Sequence, residues 1–244
     1  MEWFEDWFNS PYYHLLYSHR DEEEANRFMQ NLLAQLKPDA PSRILDLACG
    51  KGRHAQFIAS KGYNVIGIDL SENSIQEALL KSTANLQFFE HDMRFPFRIN
   101  YFDYVFNLFT SFGYFNNQRD EINTIKSVAL NLKPNGMVVI DFFNAAKVMQ
   151  MTAKCSEQKL IKGIEFDWKK SIVNKSVIKE IDVNDAGVLH HYKEQVRLLE
   201  LIDFENYFAL AGLKLVATYG DYNLAPFDVN TSERLIMIAQ KQAQ

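Results

Sequence analysis

Apolar and polar positions change their period twice along this chain. Up to residue 37 they recur at helical spacing. In "DEEEANRFMQNLLAQL" the residues Phe28, Leu32 and Leu36 share one face, Asp21 is placed as N-cap with Glu24 three residues on, and Lys37-Pro38 ends the helix. From residue 42 short apolar runs alternate with helical stretches. Strands are predicted at 43–48, 64–68, 86–90, 102–107 and 137–142, and helices at 53–60, 72–82 and 119–131, with Ser71 capping the second of these. "LKPNGMVVIDFF" reads as a helix end, a turn at Pro134-Asn135-Gly136 and a strand. Apolar runs separated by helices predict a parallel sheet covered on both faces.

Residues 145–200 break this rhythm. "GIEFDWKKSIVNKSVIKEIDVNDAGVLHHYKEQVRLLE" alternates with period two and has turns near Asn174 and at Asn184-Asp185-Ala186-Gly187, the pattern of a small antiparallel sheet. The α/β pattern then resumes with a helix at 203–211 capped by Gly212, a strand at 213–219, a loop at 220–232 and a strand at 233–240. Three regions follow: an N-terminal helical segment (1–40), an α/β domain in two pieces (41–144 and 201–244), and an inserted antiparallel subdomain (145–200).

Composition narrows the classes. The 244 residues are 47% hydrophobic and 23% charged, enough for an ordinary core. A net charge of -5 gives no electrostatic case for nucleic acid as a partner. Two cysteines, Cys49 and Cys155, cannot build a disulfide framework and suit a reducing compartment. The start "MEWFEDWFNS" has no basic n-region, and no run of 18 apolar residues occurs, so a cytoplasmic protein without a membrane partner is expected.

The chemistry centres on "ILDLACGKGRHAQFIASKGYNVIGIDLS". Gly50 and Gly52 sit where a strand turns into a helix, and glycine there permits a sharp turn and close backbone approach to a ligand. Asp69, nineteen residues past Gly50, closes the next strand, where a carboxylate can accept both ribose hydroxyls of an adenosine. These features leave NAD and S-adenosylmethionine tied. Asp46 separates them: a pyrophosphate would repel a carboxylate placed inside the first strand tip, whereas the ammonium of a free amino-acid end pairs with it. No tyrosine has Lys four residues later, as a short-chain dehydrogenase requires, and no P-loop occurs.

The "LDLACGKG" pattern resembles the glycine-rich motif of class I S-adenosylmethionine-dependent methyltransferases. "FFEHDM", "FDYVFNLFTSFGYF" and "LKPNGMVVID" follow in that family's order. The resemblance covers roughly residues 40–142 and 203–240. It implies a Rossmann-like, mostly parallel seven-stranded sheet with an antiparallel last strand, carrying a small inserted antiparallel sheet. It also implies a cofactor site made of Asp46, Ala48, Cys49, Gly50 and Gly52 at the methionine end, Asp69 and Leu70 at the ribose, Asp92 and Met93 at the adenine, and Asn107 and Leu108 along the fourth strand. In similar enzymes an aromatic near the N-terminus closes over the methionine end, which points to Tyr13 and Tyr17, four residues apart on one helical face. Arg53 or His54 either touches the cofactor carboxylate or stays solvated on the helix face. "WFEDWF" is either part of the same lid or an association surface, as in a homodimer.

The insert and the "YGDYN" turn make the chain look like methyltransferases of small molecules, including amino-sugar and glycine-type N-methyltransferases, and this resemblance implies that residues 1–40 form a lid and that the insert at 145–200 covers the acceptor site. The Asn-Pro-Pro-aromatic motif and the Pro-Cys nucleophile of nucleic-acid enzymes are absent. Methyl transfer needs alignment and exclusion of water more than it needs a base. The acceptor is expected to be a small molecule, with nitrogen preferred over oxygen. Tyr114 and His191 are the candidate catalytic side chains, Tyr114 either orienting the nucleophile or packing as a roof ring beside Phe112 and Phe115. Neighbouring His190 and His191 face opposite sides of a strand and cannot form a compact metal pair. Arg197 reads as a solvated edge charge or as a holder of an acidic acceptor.

Overall fold

The computed structural model describes residues 3–17, 22–150 and 155–243. Strands β1 (Arg43–Leu47), β2 (Asn64–Asp69), β3 (Leu86–Glu90), β4 (Phe102–Asn107), β5 (Leu132–Phe143), β10 (Leu213–Tyr219) and β11 (Arg234–Lys241) form one sheet in the order β10-β11-β5-β4-β1-β2-β3. Strands β1 to β5 pair in parallel, and β11 runs antiparallel to both β5 and β10. The expected sheet is therefore observed, with every predicted strand in place.

Successive strand residues serve opposite faces, so two cores form. Leu45, Leu47, Ile66, Val138 and Ile140 pack with helices α6 (Gln118–Asn131) and α8 (Leu201–Leu210) through Ile125, Val128, Phe204 and Phe208. Ile44, Val65, Phe106 and Val139 pack with α3 (Glu22–Leu36), α4 (Arg53–Ser60) and α5 (Glu72–Leu79) through Phe28, Leu32, Ile58 and Ile75. Ser71 caps α5 by accepting from the Ser74 amide. The helix predicted at 72–82 stops at Leu79. Asp21, the expected cap of α3, lies outside the described residues. The turn expected at 134–136 is instead an irregularity inside β5. Asn135 takes a left-handed φ of 64°, and the β4–β5 register jumps from Phe102↔Leu132 to Tyr104↔Met137.

The insert follows helix α7 (Ala145–Gln150) as a four-stranded antiparallel sheet, β6 (Cys155–Ile161), β7 (Ile164–Val173), β8 (Ser176–Asp185) and β9 (Val188–Arg197). Its three hairpins turn at Lys162-Gly163, Asn174-Lys175 and Ala186-Gly187, all with positive φ, as two-residue loops with matching twist require. Helices α1 (Trp3–Phe8) and α2 (Pro11–Leu16) lie on this sheet. Trp7 and Leu16 share a third core with Phe166, Trp168, Ile181 and Val183. No helix among the described residues is long and apolar enough to cross a membrane.

Candidate cofactor and acceptor site

The carboxyl ends of β1 to β4 converge on a cavity of about 720 Å³. After β1 the chain coils through three left-handed residues, Ala48 (φ 62°), Gly50 (φ 53°) and Gly52 (φ 76°), and enters α4. At Gly52 a Cβ would stand 2.4 Å from the Phe88 ring, so only glycine lets the loop close on β3. At Gly50 an added Cβ would meet nothing within 4 Å. The loop thus leaves open space beside its first glycine.

Three carboxylates stand at three strand ends, each held differently. Asp46, 2% exposed, accepts from the Ala55 amide in the first turn of α4 at 3.1 Å. Asp69 accepts from Gly50 N and from Ser71 N, both at 2.8 Å, and so ties the glycine loop to β2. Asp92 is gripped by Arg94, whose Nε and terminal nitrogen reach Oδ2 at 2.9 and 2.6 Å. Burial pushes the Asp46 carboxyl up to about 7, against the lowering effect of the Ala55 amide. Burial also raises Asp69, opposed by the Ser71 and Gly50 amides. The buried Cys49 thiol is raised by the same loss of water and by the Asp46 and Asp69 charges.

The opposite wall is aromatic. Phe4, Phe8, Tyr13, His14 and Tyr17 enter the cavity from α1 and α2, and Leu108, Phe109, Ser111, Tyr114 and Phe115 from the segment after β4. Tyr114 donates its hydroxyl hydrogen to Thr110 O at 2.6 Å, and its ring lies 5.1 Å from Phe8 and 5.9 Å from Trp3. Tyr17 donates to Glu194 of β9 at 2.8 Å and accepts from Lys179 at 2.9 Å. His14 lies 3.3 Å from Ser74 Oγ. Burial, aided by the Lys51 charge, lowers its imidazole to about 4, which keeps it neutral near pH 7.

Most residues expected from sequence line this cavity: Tyr13, Tyr17, Asp46, Ala48, Cys49, Gly50, Asp69, Leu70, Asp92, Met93, Leu108 and Tyr114. Gly52 instead packs behind the loop on Phe88. Asn107 is buried at the end of β4, donating to Leu47 O at 3.0 Å, and its Oδ1 has no partner among the described residues. Phe4 and Phe8 belong to "WFEDWF", expected as lid or association surface and here on the lid side, and their i, i+4 spacing places them on one helix face; His14 is a lining residue that the sequence did not single out.

Three expectations require correction. His191 is not at the cavity: it projects from the exposed face of β9, side chain 73% accessible, and meets Asp182 at 2.6 Å. The inserted sheet contributes no lining residue; it carries α1 and α2, and these form the wall. Arg197 is no solvated edge charge, since it reaches the fully buried Glu121 at 2.7 Å, where Tyr207 also donates. In each case strand parity was readable, but the packing partner of each face was not.

S-Adenosylmethionine fits these donors and acceptors. Its ammonium, ribose diol and adenine amine are all hydrogen-bond donors, and the cavity presents Asp46, Asp69 and Asp92 in a row, with unfilled space at Gly50. A diphosphate would meet the same row of carboxylates with like charge.

Residues 44–136 match the family described as Methyltransferase domain. YqeM of Bacillus subtilis (strain 168), whose name assigns it provisionally to the methyltransferases, is 30% identical over 211 residues, covering 82% of this chain and 84% of its own. The dTDP-3-amino-3,4,6-trideoxy-alpha-D-glucopyranose N,N-dimethyltransferase of Streptomyces venezuelae is 31% identical over 112 residues, 46% of each chain. The crystal structure of an S-adenosylmethionine-dependent methyltransferase from Clostridium acetobutylicum superposes with a TM-score of 0.80 over 95% of this chain and 96% of that one, at 18% identity. Glycine loop, acidic strand ends, sheet order and relatives agree, and this chain belongs to the S-adenosylmethionine-dependent methyltransferases.

Proposed function

We propose that the enzyme methylates the nitrogen of a small-molecule amine. The observation that carries this reading is the Tyr114 hydroxyl. Tyr114 lines the cavity and its single hydrogen goes to Thr110 O, so the phenol can meet a bound substrate only by accepting a hydrogen bond from it. An amine donates one N–H there and keeps its lone pair for the methyl group. A hydroxyl acceptor would instead have to lose its only hydrogen to a base. The sugar N,N-dimethyltransferase from Streptomyces venezuelae supports nitrogen as the target, over the half of the chain it matches.

S-Adenosylmethionine supplies an activated methyl on a sulfonium. In this reading Asp46 faces the cofactor's amino group, Ala48 to Gly50 its methionine backbone, Asp69 and Leu70 the ribose, and Asp92 and Met93 the adenine. Tyr13 and Tyr17 bring ring faces toward the sulfonium, where they attract cationic charge and exclude water. The aromatic wall of Phe4, Phe8 and Phe115 takes the acceptor body.

Release of S-adenosylhomocysteine from a panel of amines, amino sugars and phenols tests the reading. Turnover confined to amines, lost in Tyr114→Ala and reduced in Tyr114→Phe, is expected. Turnover of phenols with none of amines would replace it by O-methylation. Asp69→Ala should weaken S-adenosylhomocysteine binding by about 1.5–3 kcal/mol, the cost of losing charged hydrogen bonds. Unchanged affinity would remove the ribose assignment.

A further inference from the structure

Two successive residues in the segment that carries the cavity wall, Phe109, which lines the cavity, and Thr110 behind it, are left-handed, with φ of 57° and 61°. Neither is glycine, and Thr110 is β-branched, so this backbone persists only where its surroundings impose it. A buried ion pair behind the wall does so. Asp141, at the end of β5 and 0% exposed, meets Arg234 at the start of β11 at 2.7 Å. Its Oδ1 accepts from Arg234 Nε at 2.8 Å, while its Oδ2 accepts from Phe109 N at 2.8 Å. Its backbone oxygen accepts from Thr110 N at 3.0 Å. The same terminal nitrogen, Arg234 Nη2, that lies 2.7 Å from Asp141 Oδ1 also donates to Thr110 Oγ1 at 2.9 Å. Tyr222 closes the group, its hydroxyl 3.4 Å from Asp141 Oδ2 and its ring 5.4 Å from that of Phe109.

Two cavity features hang from this clamp. The Phe109 ring stacks on His54, 4.6 Å away and within 8° of parallel, beside the glycine loop. The Thr110 carbonyl takes the hydrogen of Tyr114. We infer that Asp141 and Arg234 are positioning residues for cofactor binding: they hold Phe109 and Thr110 in the left-handed conformation that shapes the wall from Leu108 to Tyr114, without lining the cavity themselves. The guanidinium fork brings Nε and Nη2 together onto Asp141 while Nη2 also reaches Thr110, a geometry an ammonium does not reproduce. This inference needs only the cofactor, and it stands or falls independently of the acceptor proposed above.

The test is calorimetric binding of S-adenosylhomocysteine, well below the melting temperature, to Arg234→Lys, Thr110→Val and Thr110→Ser. The first two should bind roughly tenfold more weakly, the scale of one charge-assisted hydrogen bond, while Thr110→Ser, which keeps the hydroxyl, should bind as the parent does. Hydrogen exchange at the Phe109 and Thr110 amides should accelerate in the two weakened variants. A purely structural pair would lower the melting temperature and leave both readouts unchanged, which overturns the inference. Weak binding by Thr110→Ser equal to that of Thr110→Val overturns it as well. Should Arg234→Lys not fold, the two Thr110 variants decide the question alone.

Discussion

Tyr17 and Glu194 join the N-terminal helices to the inserted sheet: the phenol lies 2.8 Å from both carboxylate oxygens. Trp7 donates to the same carboxylate at 2.6 Å, and Lys179 lies 4.0 Å from it. Glu194→Ala strands these donors in a partly buried place, so a loss of about 1–3 kcal/mol of stability is expected, with Glu194→Gln less damaging. Urea denaturation followed by tryptophan fluorescence measures it. Because Tyr17 lines the cavity, S-adenosylhomocysteine affinity should fall in parallel. An unchanged midpoint would mean that the apolar core of Trp7, Leu16 and Trp168 holds the helices unaided.

If Asp46 faces the cofactor's amino group as proposed, cofactor binding should be pH-dependent. Its carboxyl rises from an ordinary 3.8 to about 7 because it is buried. Between about pH 4 and 7 the folded chain holds this proton more tightly than the unfolded chain, so the stability of the ligand-free enzyme falls as pH rises through that window. A cofactor ammonium beside Asp46 favours the carboxylate instead. Affinity for S-adenosylhomocysteine should therefore increase as pH rises through about 7, with proton release on binding at about pH 6. Calorimetry in two buffers of different ionisation enthalpy reads the released proton directly. In Asp46→Asn that dependence should vanish; its persistence would assign the proton to another group.

The two loop glycines should respond differently to alanine. At Gly52 a methyl group collides with Phe88 at 2.4 Å and φ is 76°, so destabilisation on the order of 1–3 kcal/mol is expected. At Gly50 the methyl group has open space, and stability should drop less. That space belongs to the cavity, however, so Gly50→Ala should lose S-adenosylhomocysteine affinity out of proportion to its stability. Melting and binding curves on both variants separate the two effects. Equal binding losses at equal stability losses would show that Gly50 acts only through the fold.

The site was legible in proportion to how local its logic is. The turn after β1 needs left-handed residues within five positions, and the acid ending β2 follows at the distance one helix imposes, so Gly50, Gly52 and Asp69 stand out in the linear chain. The hairpins at Asn174-Lys175 and Ala186-Gly187 are local in the same way. The clamp of Asp141, Arg234 and Thr110 joins residues up to 124 positions apart; Thr110 and Asp141 lie in segments that carry the family resemblance, but no local pattern pairs them with Arg234.

Strand and helix periods, turn residues and the glycine loop by themselves determined the sheet, the hairpins and the cofactor end of the cavity, because each depends on backbone preferences within one or two turns of chain. Only the tertiary structure decided which side of each element meets what. Period two puts His190 and His191 on opposite faces, but burial of Trp168 and Ile181 against α1 and α2 makes one face a core and leaves His191 in water. The same packing inserts Phe4, Phe8 and Tyr13 between the added sheet and the cavity. That outcome depends on the summed apolar area of distant segments, a quantity no local pattern contains.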